Sequence, residues 1–224
     1  MGEIANRLAV IRQRINDACE RSGRQPGEVT LLAVSKRFPA SSIRAALEAG
    51  QLDFGESRQQ EGAEKVTELP DAIRWHFIGK LQRNKVRKVL QDFGTIHSVD
   101  SMKLALHISR IADELGISPR VYLEVNGAGE IQKGGFAVDE LKAMFSELRQ
   151  LPAIKIEGLM AIPPVEGARQ WFRGLRELRD ELVEASGESL PGLSMGMSRD
   201  FEVAIEEGST VIRVGSAIFG QRPA

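Results

Sequence analysis

The chain of 224 residues has one cysteine, one tyrosine and two tryptophans, and aromatics make up only 5% of it. A lone cysteine, Cys19, cannot form an internal disulfide. His76, His97 and His107 show no paired ligand spacing with it, so neither an oxidising compartment nor a zinc site is indicated. A cytoplasmic setting is therefore expected. An excess of one charge is also missing. Thirty basic residues against 31 acidic ones leave a formal charge of -1, which exerts no bulk pull toward nucleic acid or an anionic membrane. No apolar run reaches the roughly 18 residues that a membrane-crossing helix needs. No segment rich in Pro, Gly or Ser and no low-complexity stretch divides the chain, so one domain over residues 1–224 is expected.

What is present is an ordinary globular balance, 42% hydrophobic and 27% charged, with a regular alternation of strand and helix. The opening segment carries Ile4, Leu8, Ile11, Ile15 and Ala18 at spacings of four and three, interleaved with charge. That is an amphipathic helix and not a signal peptide, whose core would be uncharged. Eight strand-like runs follow: 30–35, 51–56, 73–79, 95–100, 120–126, 154–162, 193–198 and 209–215. Helical patterns separate them. Gly50, Gly94, Gly116 and Gly208 stand where four of those patterns should leave the helix in a left-handed conformation. Strict alternation of this kind points to an α/β fold, a closed parallel (β/α)8 TIM barrel with an extra N-terminal helix. An open doubly wound sheet has the same local pattern and is the alternative.

In such a barrel, function gathers in the loops after the strand C-termini. Those ends bear Lys36, Glu56, Gly79 and Lys80, Asp100, Asn126, Met160 and Ser198, and the last strand carries Arg213 just before Gly215 and Ser216. Any one of these taken alone reads first as a solvated strand exit, since turns are polar anyway. The last two strands say more. Ser198 stands at the expected opening of a short helix, and "VGSAIFG" presents a glycine beside a hydroxyl, which suits either a phosphate cradle or a capped helix and a tight turn. Lys36 ends the first strand, which neighbours the eighth in a closed ring. An amine beside an anchored phosphate suggests Schiff-base chemistry, although a rim lysine that only snorkels to solvent would look the same.

Several blocks are long and specific: "LLAVSK" (31–36), "DFGES...QE" (53–61), "WHFIGKLQRNK" (75–85), "SVDS" (98–101), "EVN" with "KGG" (124–135), "EGLMAI" (157–162) and "LSMGMSRDFEVAIEEGSTVIRVGSAIFG" (193–220). Through them nearly the whole chain resembles the pyridoxal 5′-phosphate (PLP) homeostasis proteins of the YggS/PROSC type, similar in fold to the N-terminal barrel of alanine racemase. The resemblance implies that Lys36 holds PLP as a Schiff base, that Ser198, Gly215 and Ser216 hold its phosphate, and that Arg213 faces the pyridine nitrogen. It also implies a cofactor reservoir or carrier with apo PLP-dependent enzymes as acceptors. Ser57 replaces a common Asn and Ser216 a common Thr, both with hydrogen-bonding capacity kept.

An arginine at the ring nitrogen has only protons to offer, so it favours an unprotonated pyridine and weakens the ring as an electron sink. Alanine racemase adds a tyrosine base, supplied with the help of a second domain. Here the only tyrosine, Tyr122, falls inside a strand, and no residues remain for that domain. Binding without efficient turnover is the expectation. A PLP-dependent amino-acid racemase or a cofactor-free Schiff-base aldolase are the enzyme alternatives. Loss of the second domain also removes much of the racemase dimer interface, which leaves the chain compatible with a monomer. Two other motifs are weak. "GAGEIQ" (127–132) has Gln132 where a dinucleotide fingerprint needs its third glycine. The basic run at Lys80, Arg83, Lys85, Arg87 and Lys88 lacks the interleaved aromatics of a nucleic-acid site and reads as a solvated face.

Overall fold

The computed structural model describes residues 2–127, 134–164 and 166–221. Eight parallel strands close into a barrel in sequence order: β1 (Thr30–Val34), β2 (Asp53–Glu56), β3 (Arg74–Phe77), β4 (Thr95–Val99), β5 (Arg120–Glu124), β6 (Lys155–Met160), β7 (Gly192–Met197) and β8 (Val211–Val214). The ring shuts where β1 pairs with β8, Leu32 opposite Arg213 and Ala33 opposite Val214. Closure excludes the open sheet, and it buries both faces of each strand. That is why β2, β4 and β8 are buried at every residue, polar ones included.

Around the barrel run α2 (Ala40–Glu48), α3 (Gln59–Glu68), α4 (Val86–Asp92), α5 (Met102–Leu115), α6 (Val138–Arg149), α7 (Ala168–Ser186), α8 (Phe201–Glu206) and α9 (Ser216–Phe219), preceded by α1 (Glu3–Arg21). The expected stripe of α1 is real: Leu8, Ile11, Ile15 and Ala18 are buried and Ile4 packs at their edge. It lies on α2, α8 and α9, and so braces the seam where β8 meets β1. Arg14 reinforces this brace with two hydrogen bonds to Glu202 at 2.8 and 2.9 Å while lying over the Phe201 ring.

The local signals hold with three differences. Gly50, Gly116 and Gly208 are left-handed, at φ 80°, 66° and 98°, whereas Gly94 is not, because α4 ends in extended backbone at Phe93. The helix expected to open at Ser198 begins at Phe201. Asp200 intervenes, its Oδ1 accepting the Met197 N–H at 2.6 Å and folding 198–200 into a turn. The segment after β8, read as either a phosphate cradle or a tight turn, coils into the short α9. Most of "GAGEIQ", and Lys133 of "KGG", lie outside the described residues.

Candidate functional site

Strand ends and seam converge on one cavity of about 370 Å³ at the C-terminal mouth of the barrel. Lys36, Ser198, Arg213, Gly215 and Ser216 all line it, with Val34, Ile78 and Met160 as apolar wall and His97 in its lining. Its volume lies within the range of about 300–1,000 Å³ usual for small-molecule sites. The Ser216 and Ser198 hydroxyls lie 3.4 Å apart, at the exposed side. Gly215 has a steric reason to be glycine. A Cβ there would come within 3.3 Å of the Val34 carbonyl, so its bareness lets the end of β8 lie against the end of β1 and brings the hydroxyls to the same cavity as Lys36.

How Lys36 is presented depends on residues that sequence reasoning did not single out. Both peptide groups that bracket it are held from α3: Lys65 Nζ donates to the Ser35 carbonyl at 2.9 Å, and the Arg37 N–H donates to Glu61. Lys65 and Glu61 are themselves an ion pair one helical turn apart, at 2.7 Å. The clamp keeps Arg37 at φ 67°, the one non-glycine residue with positive φ among the described residues. Below it, Glu56 Oε1 accepts from Ser35 Oγ at 2.6 Å and Lys65 Nζ at 2.7 Å, while its buried Oε2 has no hydrogen-bond partner among the described residues. Burial pushes the Glu56 carboxyl up, against the pull of Lys65 and Ser35. The available signal was a lysine on the inward stripe of α3, between Gly62 and Leu69. Arg37, the residue after Lys36, is exposed and contributes its backbone to this clamp.

Arg213 is 5% exposed in the floor of the barrel mouth. One guanidinium nitrogen donates to Ser194 O at 2.6 Å and Ser194 Oγ at 2.7 Å, and another to Ala161 O at 2.9 Å. Burial pulls its pKa down to about 10, with Glu124 and Asp200 opposing, so it stays a cation at neutral pH. Glu124, half-buried at the end of β5, is raised by burial and by Asp100. His76 and His97 are core histidines, hydrogen-bonded to each other at 3.0 Å. Tyr122 is buried and stacked on His97, ring centroids 4.5 Å apart. Of the basic run, Lys80, Arg83, Arg87 and Lys88 are exposed, in keeping with a solvated face.

The fold and the site together define a class: a closed (β/α)8 barrel with a half-buried lysine, a buried arginine and paired hydroxyls around one cavity at its seam. The chain belongs to the alanine racemase N-terminal domain family, whose model matches residues 7–223. It is 46% identical over 221 residues to a protein named pyridoxal phosphate homeostasis protein from Aquifex aeolicus, covering 96% of this chain and 97% of that one. Among solved structures it is similar to PipY of Synechococcus elongatus. The form without PLP superposes with a TM-score of 0.88 at 41% identity, and the form with PLP bound with 0.85 at 42%, each covering 97% of this chain and 100% of PipY.

Proposed function

We propose that the chain binds pyridoxal 5′-phosphate, held as a Schiff base on Lys36, and serves as a reservoir or carrier in PLP homeostasis. The observation that carries this is the convergence of Lys36, Ser198, Arg213, Gly215 and Ser216, from both sides of the β1–β8 seam, on a single cavity. The donor set fits the group. An amine meets an aldehyde, two hydroxyls and a bare glycine backbone suit a phosphate at the open side, and a buried guanidinium suits a ring nitrogen. Bound there, PLP would supply a carbonyl that captures amines. The chain's own residues position it: α3 clamps the lysine backbone, Arg213 offers a proton it keeps, and apolar Val34, Ile78 and Met160 limit water. The family relatives named for PLP homeostasis and the PLP-bound PipY agree with this reading.

Carriage is favoured over racemisation by the place of Tyr122. It is buried in β5 against His97, its hydroxyl pushed up to about 12 by burial and by Glu157, and it does not line the cavity. A cytoplasmic setting goes with this reading, given one cysteine whose thiol is buried; among the described residues no helix is long and apolar enough to cross a membrane. The test is borohydride reduction of protein incubated with PLP, followed by peptide mass mapping. The expected result is a visible chromophore and release to an apo-enzyme acceptor before reduction, and one added pyridoxyl phosphate on Lys36 after it. A protein that stays colourless and unmodified would overturn the reading, and alanine racemisation lost in Lys36→Ala would replace it with the racemase.

A further inference from the structure

Arg213 is the upper end of a chain of polar groups that crosses the barrel interior. Ser194 Oγ lies 2.8 Å from His97 Nδ1, His97 Nε2 lies 3.0 Å from His76 Nδ1, and His76 Nε2 lies 3.3 Å from Asp53 Oδ1. Asp53 also accepts from Arg74, at 2.7 Å on Oδ1 and 2.5 Å on Oδ2. Asp53 and Arg74 open their strands and so sit at the mouth opposite the candidate site. They help line a second, polar cavity there, of about 170 Å³. Ser194, His97, His76 and Asp53 are all buried, His97 and Ser194 completely.

The direction of every bond follows from the chemistry of the two ends. A guanidinium can only donate, so Ser194 Oγ accepts from Arg213, and with both imidazoles neutral the accepting carboxylate at the other end sends the serine proton to His97. His97 Nδ1 is thereby an acceptor. Burial, with Arg213 and Arg120 adding repulsion, holds this imidazole well below its usual pKa, hence neutral, with its proton on Nε2. That proton points at His76 Nδ1, which leaves the His76 proton on Nε2, aimed at Asp53. The carboxylate can only accept. With both imidazoles neutral the two ends agree, and no other pair of tautomers satisfies all of the groups.

We propose that Arg213, Ser194, His97, His76 and Asp53 form a one-directional hydrogen-bond relay, in which the carboxylate at the far mouth sets how the guanidinium presents itself to the cofactor ring. It rests on the reading that the cavity holds PLP. Each bond polarises the next, so a serine that gives its proton toward Asp53 is a better acceptor for Arg213. Ser194, His97, His76 and Asp53 are positioning residues for Arg213. Asp53 and His76 do not line the cofactor cavity, so substituting them changes the relay without touching the ligand.

The test has two arms. In the unloaded protein, nitrogen-15 NMR of the three histidines is expected to show His97 and His76 protonated on Nε2. A proton on Nδ1 of His97 would overturn the relay whatever the cavity binds. In the loaded protein, Asp53→Asn supplies an amide that can donate to His76 and reverse the chain, and Ser194→Ala cuts it while leaving the main-chain acceptor of Arg213 in place. Both are expected to shift the visible absorption band and to change the rate of cofactor release by about threefold or more. If Asp53→Asn, melting like the parent, keeps the parent's band and release rate, the relay is overturned even where Ser194→Ala has an effect, because the serine then acts alone. A parent that takes up no PLP would sink the functional reading instead, and the tautomer arm would still decide the relay.

Discussion

Two cavities of nearly equal volume, about 370 and 350 Å³, open on the same face of the barrel. The first lies at the β8–β1 seam and holds an amine, a guanidinium and two hydroxyls. The second, beyond the ends of β5 and β6, is walled by Val138, Ile162, Trp171, Leu175 and Leu178, with Glu124 as its carboxylate. Size does not distinguish them; the chemistry of the lining does, and so does the support behind it. The lysine of the first is held by a buried ion pair and its arginine by three oxygens, whereas packing alone shapes most of the second. A site is recognisable by the polar groups that the fold has stabilised at a cost in desolvation.

The comparison breaks most completely at Lys36. Lys36→Ala removes the amine and is expected to abolish covalent retention of PLP, read as loss of both chromophore and added mass after borohydride, with a melting temperature close to the parent's. Retention of reduced cofactor elsewhere on the chain would move the site.

The next largest effect is expected at the clamp. Lys65 is 8% exposed and Glu56 0% by side chain, so Lys65→Met leaves a carboxylate buried without its cation. Losing one partner of a buried pair costs about 3–5 kcal/mol. Urea unfolding of the variant should show that loss together with faster release of PLP. A stable variant with unchanged release would mean that α3 does not present Lys36.

These two residues also show what could be read from the chain without its structure. The eight strands were legible because parallel barrel strands are short, apolar and ended by polar residues, and Lys36, Ser198, Arg213, Gly215 and Ser216 were legible as chemistry at such ends. Closure of the ring was expected from eight alternating units, with an open sheet left as the alternative, since periodicity reports the local partner of a residue and not which strand meets which. Lys65 escaped because a lysine in a helix ordinarily faces water, and only tertiary contact tells that this one faces Glu56. Ser194, His97 and His76 escaped for a related reason: each looks like core, and only their alignment across three strands makes a network.

A smaller effect is expected from acid. In the unfolded chain a histidine takes up its proton near pH 6.5, whereas folded His97 resists protonation because it is buried beside other cations. Below about pH 6.5 the unfolded state therefore binds the extra proton, and stability falls with pH. Asp53 adds a loss at lower pH. Burial would raise its carboxyl, but hydrogen bonds from His76 and Arg74 hold it at about 2, so its contribution is present above about pH 4 and disappears between about 4 and 2. Glu56 and Glu124, whose carboxyls are raised, take protons in the fold first and oppose the trend. The difference between parent and His97→Leu isolates the histidine. Urea midpoints from about pH 7.5 to 5 should decline less steeply in the variant, and equal slopes would contradict a neutral His97.

The smallest effect on the cofactor is expected at the second cavity, and it is the sharpest use of the comparison. Trp171 is only partly buried, so Trp171→Ala should cost about 1–2 kcal/mol of stability, below the usual range for a fully buried tryptophan. If the seam cavity alone holds PLP, the yield on Lys36 and the release rate should stay within about twofold of the parent at a temperature where both are folded. Ala161 puts that independence at risk. It lines the second cavity while its carbonyl accepts from Arg213 of the first, so the two share one peptide group. A Trp171→Ala variant that releases PLP much faster at full foldedness would show that the apolar cavity acts on the cofactor through that carbonyl, and equal volume would then reflect joint function.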